Sequence, residues 1–154
     1  MTNIDTSFNF EIRKSKIDTQ SLSEDLRKDK GLGGIVIFEG RVRNESEGKE
    51  VLKLEYESYK ELAESEGKKI LKEALAKYAQ VKNVICIHGE GEMEPGDLAV
   101  WVGAASPHRD EAFQACRYVI EAVKHRLPIW KKETFKTGEA HWVNCREHHA
   151  IPCN

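Results

Sequence analysis

The stretch KHRLPIWKKE, residues 124–133, marks the predicted change from the last helix of the chain to its last two strands. Pro128 has no backbone N–H for a helical ladder and forces the residue before it away from the helical conformation, so the helix should end there. Residues 129–133 and 140–143 then have the pattern of a hairpin. This order is not the regular alternation of strands and helices that builds a doubly wound sheet.

Upstream, apolar residues recur either every second residue or every three to four residues, which indicates strands and helices respectively. A capping box between Ser21 and Glu24 predicts the start of the first helix, and Ser106-Pro107 predicts the start of the third. The remaining elements are a helix at residues 60–78 and strands at 8–12, 34–43, 51–59, 84–88 and 98–105. The strand at 51–59 is expected to pair antiparallel with the one at 34–43, with Leu52, Leu54 and Tyr56 on one apolar face. The strands at 84–88 and 98–105 are expected to form a hairpin, and Gly67 is expected to loosen the helix at 60–78. We therefore expect an α+β fold with an antiparallel sheet and three helices.

The chain has the length and composition of one globular domain. It has 154 residues, of which 40% are hydrophobic and 32% charged, so we expect a single domain over residues 1–154 with a loose tail at 147–154. A formal charge of -2 argues against general binding to nucleic acid or to anionic lipid. Without a membrane-span pattern or a secretory signal pattern, we expect a cytoplasmic protein.

The four cysteines form no CxxC pair, which favours reduced thiols over a disulfide framework. Cys86 and Cys116 lie in apolar patterns and are expected in the core. Two cysteines and two histidines near the C-terminus could bind zinc, but their spacing fits no familiar zinc finger, so no metal site is expected. They are Cys145, His148, His149 and Cys153.

Two pairs of basic residues stand where packing alone does not explain them. Arg41 and Arg43 are two residues apart on a predicted strand, where like charges on one face repel each other. His108 and Arg109 fall in the predicted first turn of the third helix, where the helix dipole disfavours a cation by roughly 0.3–1 kcal/mol. A bound anion would remove both costs, because a helix N-terminus presents free N–H groups and Arg binds oxyanions in a two-pronged geometry.

Lys124 and Lys131 are the candidate reactive groups of the opening stretch. Lys124 lies in the last turn of its predicted helix, where the helix dipole alone would also favour a cation. Lys131 follows Trp130 in a short, largely apolar strand. A desolvated ammonium gives up its proton more readily, so a lysine in such a place can act in proton transfer or as a nucleophile.

Four motifs, taken in order, resemble the family of molybdopterin synthase catalytic subunits. They are FEGRVRN at residues 38–44, EPGD at 94–97, SPHRDEAF at 106–113 and KHRLPIWKKE at 124–133. The resemblance implies an α/β hammerhead-type fold and a homodimer at the centre of a heterotetramer, with a small ubiquitin-like sulfur-carrier subunit at each end. It also implies conversion of cyclic pyranopterin monophosphate into molybdopterin, with sulfur taken from the carrier's C-terminal Gly-Gly thiocarboxylate and without a metal or organic cofactor.

By the same resemblance, Lys124 and Lys131 match the family's two catalytic lysines and also line the substrate pocket. Arg43, with Arg41 and Val42 beside it, would hold the phosphate of the pterin. The other implied substrate-binding residues are His108, Arg109, Lys132, Glu133 and Arg146. The chain departs from the family where Gly89 and Glu90 stand in place of an arginine that commonly follows the histidine matched by His88. From the sequence, His88 itself is interpreted as a packing residue.

Two other functions remain open on the residues alone. A non-catalytic module could use the same basic pocket to bind a ubiquitin-like tail or a phosphorylated small molecule. Hydrolysis of phosphate esters has less support, because no metal-binding or nucleophile motif is recognisable.

Overall fold

The computed structural model describes residues 6–144, and their fold is a mixed α+β fold with three helices, as predicted. In chain order the elements are β1 (Ser7–Arg13), α1 (Thr19–Leu26), β2 (Gly34–Arg41), β3 (Glu45–Ser46), β4 (Lys49–Ser58), α2 (Lys60–Lys77), β5 (Asn83–Gly89), β6 (Gly91–Met93), β7 (Leu98–Ser106), α3 (Arg109–Arg126), β8 (Ile129–Phe135) and β9 (Ala140–Asn144). The predictions for Arg146, for the possible zinc ligands and for the tail at 147–154 lie outside the described residues. No helix in the described range has the length and apolar content to cross a membrane.

The first sheet has four strands in the order β1-β5-β7-β2. The predicted hairpin of β5 and β7 is confirmed as an antiparallel pair. β1 pairs with β5 in parallel, with Ser7 opposite Asn83, so one pair of this sheet is parallel beside the antiparallel pairs that were expected. Alternate residues of β5 face two hydrophobic clusters: Val84 and Cys86 pack with α2 and α3, whereas Ile85 packs with α1. Burial of both faces explains why this strand has an almost continuous apolar sequence.

The second sheet joins β3, β4, β8 and β9 in that order, with β6 also paired to β4. The predicted hairpin of β8 and β9 is confirmed. The predicted pairing of residues 51–59 with 34–43 is wrong, because β4 pairs antiparallel with β8 instead. A register shift between Val51 and Lys53 also changes the face predicted for Leu52. Val51 is buried at 4% exposure whereas Leu52 is 51% exposed, because a bulge moves the following side chain to the other face.

The helix starts differ from the predicted ones. The N-cap of α1 is Asp18, whose side chain accepts the Ser21 backbone N–H at 3.2 Å, so the capping box predicted at Ser21 is wrong. Ser106 is the last residue of β7 and not a helix cap, and His108 is the N-cap of α3 without a side-chain cap bond. The predicted effect of Pro128 is confirmed, since α3 ends at Arg126.

Helices α2 and α3 cover one face of the first sheet and are joined by an ionic cluster. The Arg126 guanidinium on α3 binds Glu66 on α2 at 2.6 Å and also binds Glu73. Glu73 accepts a further hydrogen bond from the Tyr118 hydroxyl at 2.8 Å. Because the Arg126 side chain is 33% exposed and that of Glu73 is 43% exposed, solvent weakens this cluster compared with a buried ion pair.

Candidate active site

A cavity opens where the end of β2 meets the second sheet. Its wall is formed by the segment after β2 and by residues of β3, β4 and β8. The lining residues are Arg41, Val42, Arg43, Glu45, Ser46, Val51, Leu54, Tyr56, Lys131 and Glu133. Five of the predicted substrate-binding residues therefore line one cavity within a single chain: Arg41, Val42, Arg43, Lys131 and Glu133.

Lys131 is the buried cation of this cavity. It is 6% exposed, because alternate residues of β8 point into the protein. Its ammonium lies 3.4 Å from Glu133 Oε1, two residues along the strand and on the same face. A carboxylate at this distance offsets part of the cost of removing the ammonium from water. On the neighbouring strand, Tyr56 lies directly opposite Lys131, so the two side chains are adjacent.

Lys124 lies in the last turn of α3 and is not among the residues that line this cavity. Its Nζ atom is buried although other atoms of the side chain are partly exposed. Burial, and secondly the nearby charge of Lys124, lower the pKa of His88 to about 3, so this imidazole is neutral at physiological pH. The His88 ring in turn packs edge to face against Tyr56, with ring centroids 5.0 Å apart. Lys131 thus lies opposite Tyr56, which packs against His88, and the charge of Lys124 acts on the same His88.

Arg41 and Arg43 lie at the rim of the cavity. The prediction that both belong to one strand face is wrong, because β2 ends at Arg41 and has an irregular register between Gly40 and Arg41. The Arg41 guanidinium donates to the Gly96 carbonyl, at 3.0 Å from Nε and 2.6 Å from Nη2. This contact fixes Arg41 against the turn before β7. Arg43 is exposed and lines the cavity from the segment after β2.

The other predicted site residues lie elsewhere in this chain. His108 and Arg109 are exposed at the start of α3. Lys124 is near the other end of that helix, so about 22 Å separate it from Arg109 at a rise of 1.5 Å per residue. Asp110 and Glu111 in the first turn of α3 offset the positive charge at the start of this helix, which the helix dipole alone would disfavour. Lys132 points to the opposite face of β8 from Lys131, with Nζ 5.7 Å from the centroid of the Trp142 ring.

The comparison with known proteins decides the family. The family model described as "MoaE protein" matches residues 12–126. A "Molybdopterin synthase catalytic subunit" of Pyrococcus abyssi is 38% identical over 143 residues, which cover 88% of this chain and 95% of the relative. A subunit of the same name from Nostoc sp. is 39% identical over 119 residues, covering 77% of this chain and 72% of the relative.

The chain belongs to the MoaE family. MoaE proteins are the catalytic subunits of molybdopterin synthase, so this chain is an enzyme of molybdenum cofactor biosynthesis. The crystal structure of molybdopterin synthase from Staphylococcus aureus aligns with a TM-score of 0.82 at 33% identity, covering 88% of this chain and 96% of that one. A structure of the MoaE protein from Burkholderia ambifaria aligns with a TM-score of 0.76 at 30% identity, covering 92% and 90% of the two chains.

The departure from the MoaE pattern at positions 89 and 90 has a local structural basis. A Cβ atom at Gly89 would lie 2.5 Å from Met93 Cε and 3.2 Å from the Ala99 carbonyl oxygen, so a larger side chain does not fit there without movement. Glu90 turns its carboxylate toward β4, where Oε1 accepts the Ser58 backbone N–H at 3.4 Å. An acidic side chain therefore bridges β4 and the end of β5 in this MoaE protein.

The sequence did not identify Tyr56 and His88 as a contacting pair next to Lys131. Tyr56 was predicted only as part of an apolar strand face, and its burial at 2% is consistent with that. His88 was interpreted as a packing residue. The available signal was a histidine at the end of an otherwise apolar strand, because a buried imidazole needs a polar partner. That signal does not by itself indicate which other residues the imidazole contacts.

Proposed function

We propose that this MoaE protein converts cyclic pyranopterin monophosphate into molybdopterin, with Lys124 and Lys131 as its catalytic lysines. The sulfur would come from the C-terminal Gly-Gly thiocarboxylate of a small ubiquitin-like carrier. The observation that carries the proposal is the burial of Lys131 in a cavity whose rim holds Arg41 and Arg43. No metal or organic cofactor is required for this reaction in the proposed scheme.

The charges of the cavity suit the two reactants, which are both anions. Arg43 and Arg41 would bind the phosphate, because guanidinium groups pair with oxyanions through two parallel hydrogen bonds. Val42 is 5% exposed and would provide an apolar wall beside them. Holding a phosphate and a thiocarboxylate together removes much of the entropic barrier to their reaction. Fixed cations also stabilise negative charge that develops as the sulfur is transferred.

The lysines would supply the proton transfers. Ring opening of the cyclic phosphate and addition of sulfur both require protons to move, and a lysine within reach can donate or remove them. Lys131 would keep its position through the carboxylate of Glu133, 3.4 Å away. Lys124 would act from the side of α3, next to the neutral His88.

We propose that the working assembly is a homodimer with one carrier subunit at each end, a heterotetramer. One solved structure described as a complex of subunits 1 and 2 of the molybdopterin-converting factor of Helicobacter pylori has the same fold. Exposed apolar side chains support a contact between copies: Phe113 on α3 is 59% exposed, and Ile37 and Phe38 on β2 are each 38% exposed. Large exposed apolar side chains of this kind favour a protein interface.

A second copy of the chain would also explain how the predicted site residues that lie away from the cavity contribute to an active site. His108 and Arg109 lie five and four residues before Phe113 at the start of α3, between one and one and a half turns away, so a dimer that covers Phe113 would carry them to the neighbouring copy. In the proposed scheme they complete the phosphate pocket of that copy, together with Arg146, and Lys132 contributes at the rim. The cytoplasmic location expected from the sequence remains a prediction.

The decisive experiment is sulfur transfer with purified thiocarboxylated carrier and cyclic pyranopterin monophosphate. We expect Lys124→Ala and Lys131→Ala each to reduce turnover by at least about a hundredfold, the usual contribution of a general acid or base. The matched control is Lys69→Ala, which removes a lysine whose side chain is 67% exposed on α2. Near-normal turnover by either active-site variant would refute the assignment. Carrier binding without any transfer by the parent protein would instead support the non-catalytic binding module.

A further inference from the structure

The turn at residues 94–97, the EPGD motif of the sequence, connects β6 to β7, and its residues do not line the candidate cavity. The Asp97 backbone N–H donates to the Glu94 carbonyl at 3.0 Å, with Pro95 second in the turn and Gly96 third, at a φ of 93°. This is the pattern of a type II β-turn. The Asp97 carboxylate also accepts the Glu94 backbone N–H at 2.8 Å, so the turn is closed by hydrogen bonds from both the backbone and the side chain of Asp97.

This turn holds the backbone of the segment that carries the two arginines of the cavity. The Gly96 N–H donates to the Val42 carbonyl at 2.7 Å, and the Asp97 carbonyl accepts the Val42 N–H at 2.9 Å. Both backbone polar groups of Val42 are therefore bonded to the turn. Two residues further on, the Asn44 carbonyl accepts a backbone N–H of β4 at 2.9 Å. Arg43 stands between these two anchored residues, which limits how far its side chain can move from the cavity that it lines.

The same turn orients the side chain of Arg41. Its guanidinium donates to the Gly96 carbonyl from Nε at 3.0 Å and from Nη2 at 2.6 Å. Because a carbonyl oxygen has no net charge, this contact fixes the guanidinium and leaves its positive charge and its remaining N–H groups available to an oxyanion. The register changes at this point, with Gly40 opposite Val100 and Arg41 opposite Leu98, and such bulges re-aim the side chains beside them.

A second turn of the chain shows what a connection without this task looks like. Gly138, between β8 and β9, has a φ of 91°, and its N–H donates to the Phe135 carbonyl within the same hairpin at 2.9 Å. Among the described residues, a Cβ atom at Gly138 would meet no atom within 4 Å, and one at Gly96 would meet only Arg41 Nη2, at 3.9 Å. The two glycines therefore have the same backbone conformation and similar space, and they differ in that Gly96 bonds to the arginine segment.

We propose that Gly96 and Asp97 are positioning residues for the arginine segment at residues 41–43. Asp97 fixes the turn, and Gly96 holds the Arg41 guanidinium and the backbone that precedes Arg43. This inference rests on the proposed function, in which the two arginines bind the phosphate of the substrate. Since the turn lies outside the cavity, a change in it should weaken binding of the phosphate-bearing reactant and spare the proton transfers assigned to the lysines.

The test uses four substitutions in the full-length chain. Gly96→Ala disfavours the positive φ of the turn and so displaces the Gly96 carbonyl. Gly138→Ala is the matched control, because it introduces the same backbone strain at a φ of 91° in the other turn. Asp97→Ala removes the carboxylate that closes the turn, whereas Asp97→Asn keeps an acceptor oxygen for the Glu94 N–H. Urea unfolding should show similar losses of stability in the two glycine variants.

The first readout needs no substrate. NMR of isotope-labelled arginines at mildly acidic pH follows the exchange of the Arg41 Nε–H with water, and the signal is identified from its absence in Arg41→Lys. We expect faster exchange in Gly96→Ala and Asp97→Ala, because this N–H loses its fixed acceptor. Exchange in Asp97→Asn and Gly138→Ala should stay close to that of the parent protein. Unchanged exchange in both Gly96→Ala and Asp97→Ala would overturn the proposal.

The second readout is sulfur transfer with thiocarboxylated carrier. We expect KM for cyclic pyranopterin monophosphate to rise about tenfold in Gly96→Ala and Asp97→Ala, the loss of one charge-assisted hydrogen bond. The kcat and the KM for the carrier should change little, and Asp97→Asn and Gly138→Ala should behave like the parent protein. An equal change of KM in Gly96→Ala and Gly138→Ala would overturn the proposal.

Two further comparisons separate the proposal from its alternatives. In an Arg41→Ala background, Gly96→Ala should add much less to KM than it does alone, because both changes remove the same contact; full additivity would contradict the positioning role. If Gly96→Ala does not fold, Asp97→Ala against Asp97→Asn decides, and equal KM values would count against the proposal. A normal KM in the double variant of Arg41→Ala and Arg43→Ala would instead refute the proposed phosphate binding, and the exchange rates of Arg41 would still test the contact with the turn.

Discussion

Gly67 on α2 and Phe10 on β1 are in direct contact, so that a Cβ atom at position 67 would lie 2.4 Å from the Phe10 ring. The sequence suggested that Gly67 loosens its helix. The structure shows instead that the absence of a side chain lets α2 lie close to β1. We predict that Gly67→Ala destabilises the protein by about 1–3 kcal/mol, because overpacking outweighs the better helix propensity of alanine. Urea unfolding measures the difference.

A second substitution to alanine on the same helix is the control for this prediction. Ser65 is exposed on α2, and Ser65→Ala should be neutral or slightly stabilising. Equal stability of Gly67→Ala and the parent protein would show that Phe10 moves aside at little cost.

Removing one charge from the buried Lys131–Glu133 pair is expected to destabilise the folded protein strongly. Their side chains are 8% and 12% exposed. Glu133→Gln keeps the shape but removes the negative charge beside a buried ammonium, which typically costs about 3–5 kcal/mol. We expect a loss of this size in the free energy of unfolding measured with urea at pH 7, with a decrease in turnover.

An exposed ion pair provides the comparison. Lys49 and Glu139 lie 3.0 Å apart with side chains 49% and 53% exposed. Glu139→Gln should cost at most about 1 kcal/mol, as for other solvent-screened pairs. Similar losses in Glu133→Gln and Glu139→Gln would mean that solvent reaches Lys131 in solution.

The cluster of Arg126 and Glu73 predicts a dependence of stability on pH. The hydrogen bond from Arg126, and secondly that from Tyr118, lower the pKa of Glu73 from its usual value of 4.5. A carboxyl whose pKa is lower in the folded state stabilises the fold above its unfolded-state pKa, and this contribution disappears as the pH falls through the folded-state value. Glu73→Gln should therefore destabilise the protein at pH 7, and the difference from the parent protein should shrink as the pH falls from 7 toward and through the lowered pKa of Glu73.

The size of this effect is limited by exposure. Since the Glu73 side chain is 43% exposed, we expect no more than about 1 kcal/mol at pH 7. Urea unfolding of both proteins between pH 3 and pH 7 gives the difference, and Glu57→Gln, a change on the exposed face of β4, is the control. A difference that does not vary with pH would contradict the role of the Glu73 charge.

The two described cysteines should resist alkylation in the native protein. Burial raises the pKa of Cys116 to about 11 and that of Cys86 further. The reactive thiolate is then scarce at pH 8, and the buried sulfur is also inaccessible. We expect iodoacetamide to modify both residues in urea but neither in the native state, as measured by peptide mass spectrometry. Labelling of native Cys86 would show that β5 becomes exposed by local opening.

Most elements of the fold were predictable because their signals are local. The period of apolar residues located α2 and the strands, and Pro128 located the end of α3. Pairing was less predictable, since β4 joins β8 rather than β2 through contacts between residues distant in the chain. The bulge beside Val51 also had no local signal, so the sequence placed Leu52 on the wrong face.

The candidate site was predictable in part. Resemblance to the family identified the cations, and the structure places Arg41, Arg43 and Lys131 around one cavity. The sequence already predicted that His108 and Arg109 begin the helix that Lys124 ends. It could not show that neither residue lines the cavity of Arg41, Arg43 and Lys131, because spacing along a sequence does not determine the distance between elements. Nor could it show that Tyr56, opposite Lys131, packs against His88, since this contact joins two strands of different sheets.

The parallel pairing of β1 with β5 also affects how the chain is made. Ser7 has its partner in Asn83, so within residues 6–144 strand β1 has no sheet partner until β5 has been synthesised. Pairs so distant in sequence form slowly, because a long loop must close first. During synthesis the N-terminal strand is therefore exposed to other nascent chains, and its attachment to β5 is expected among the late events of folding.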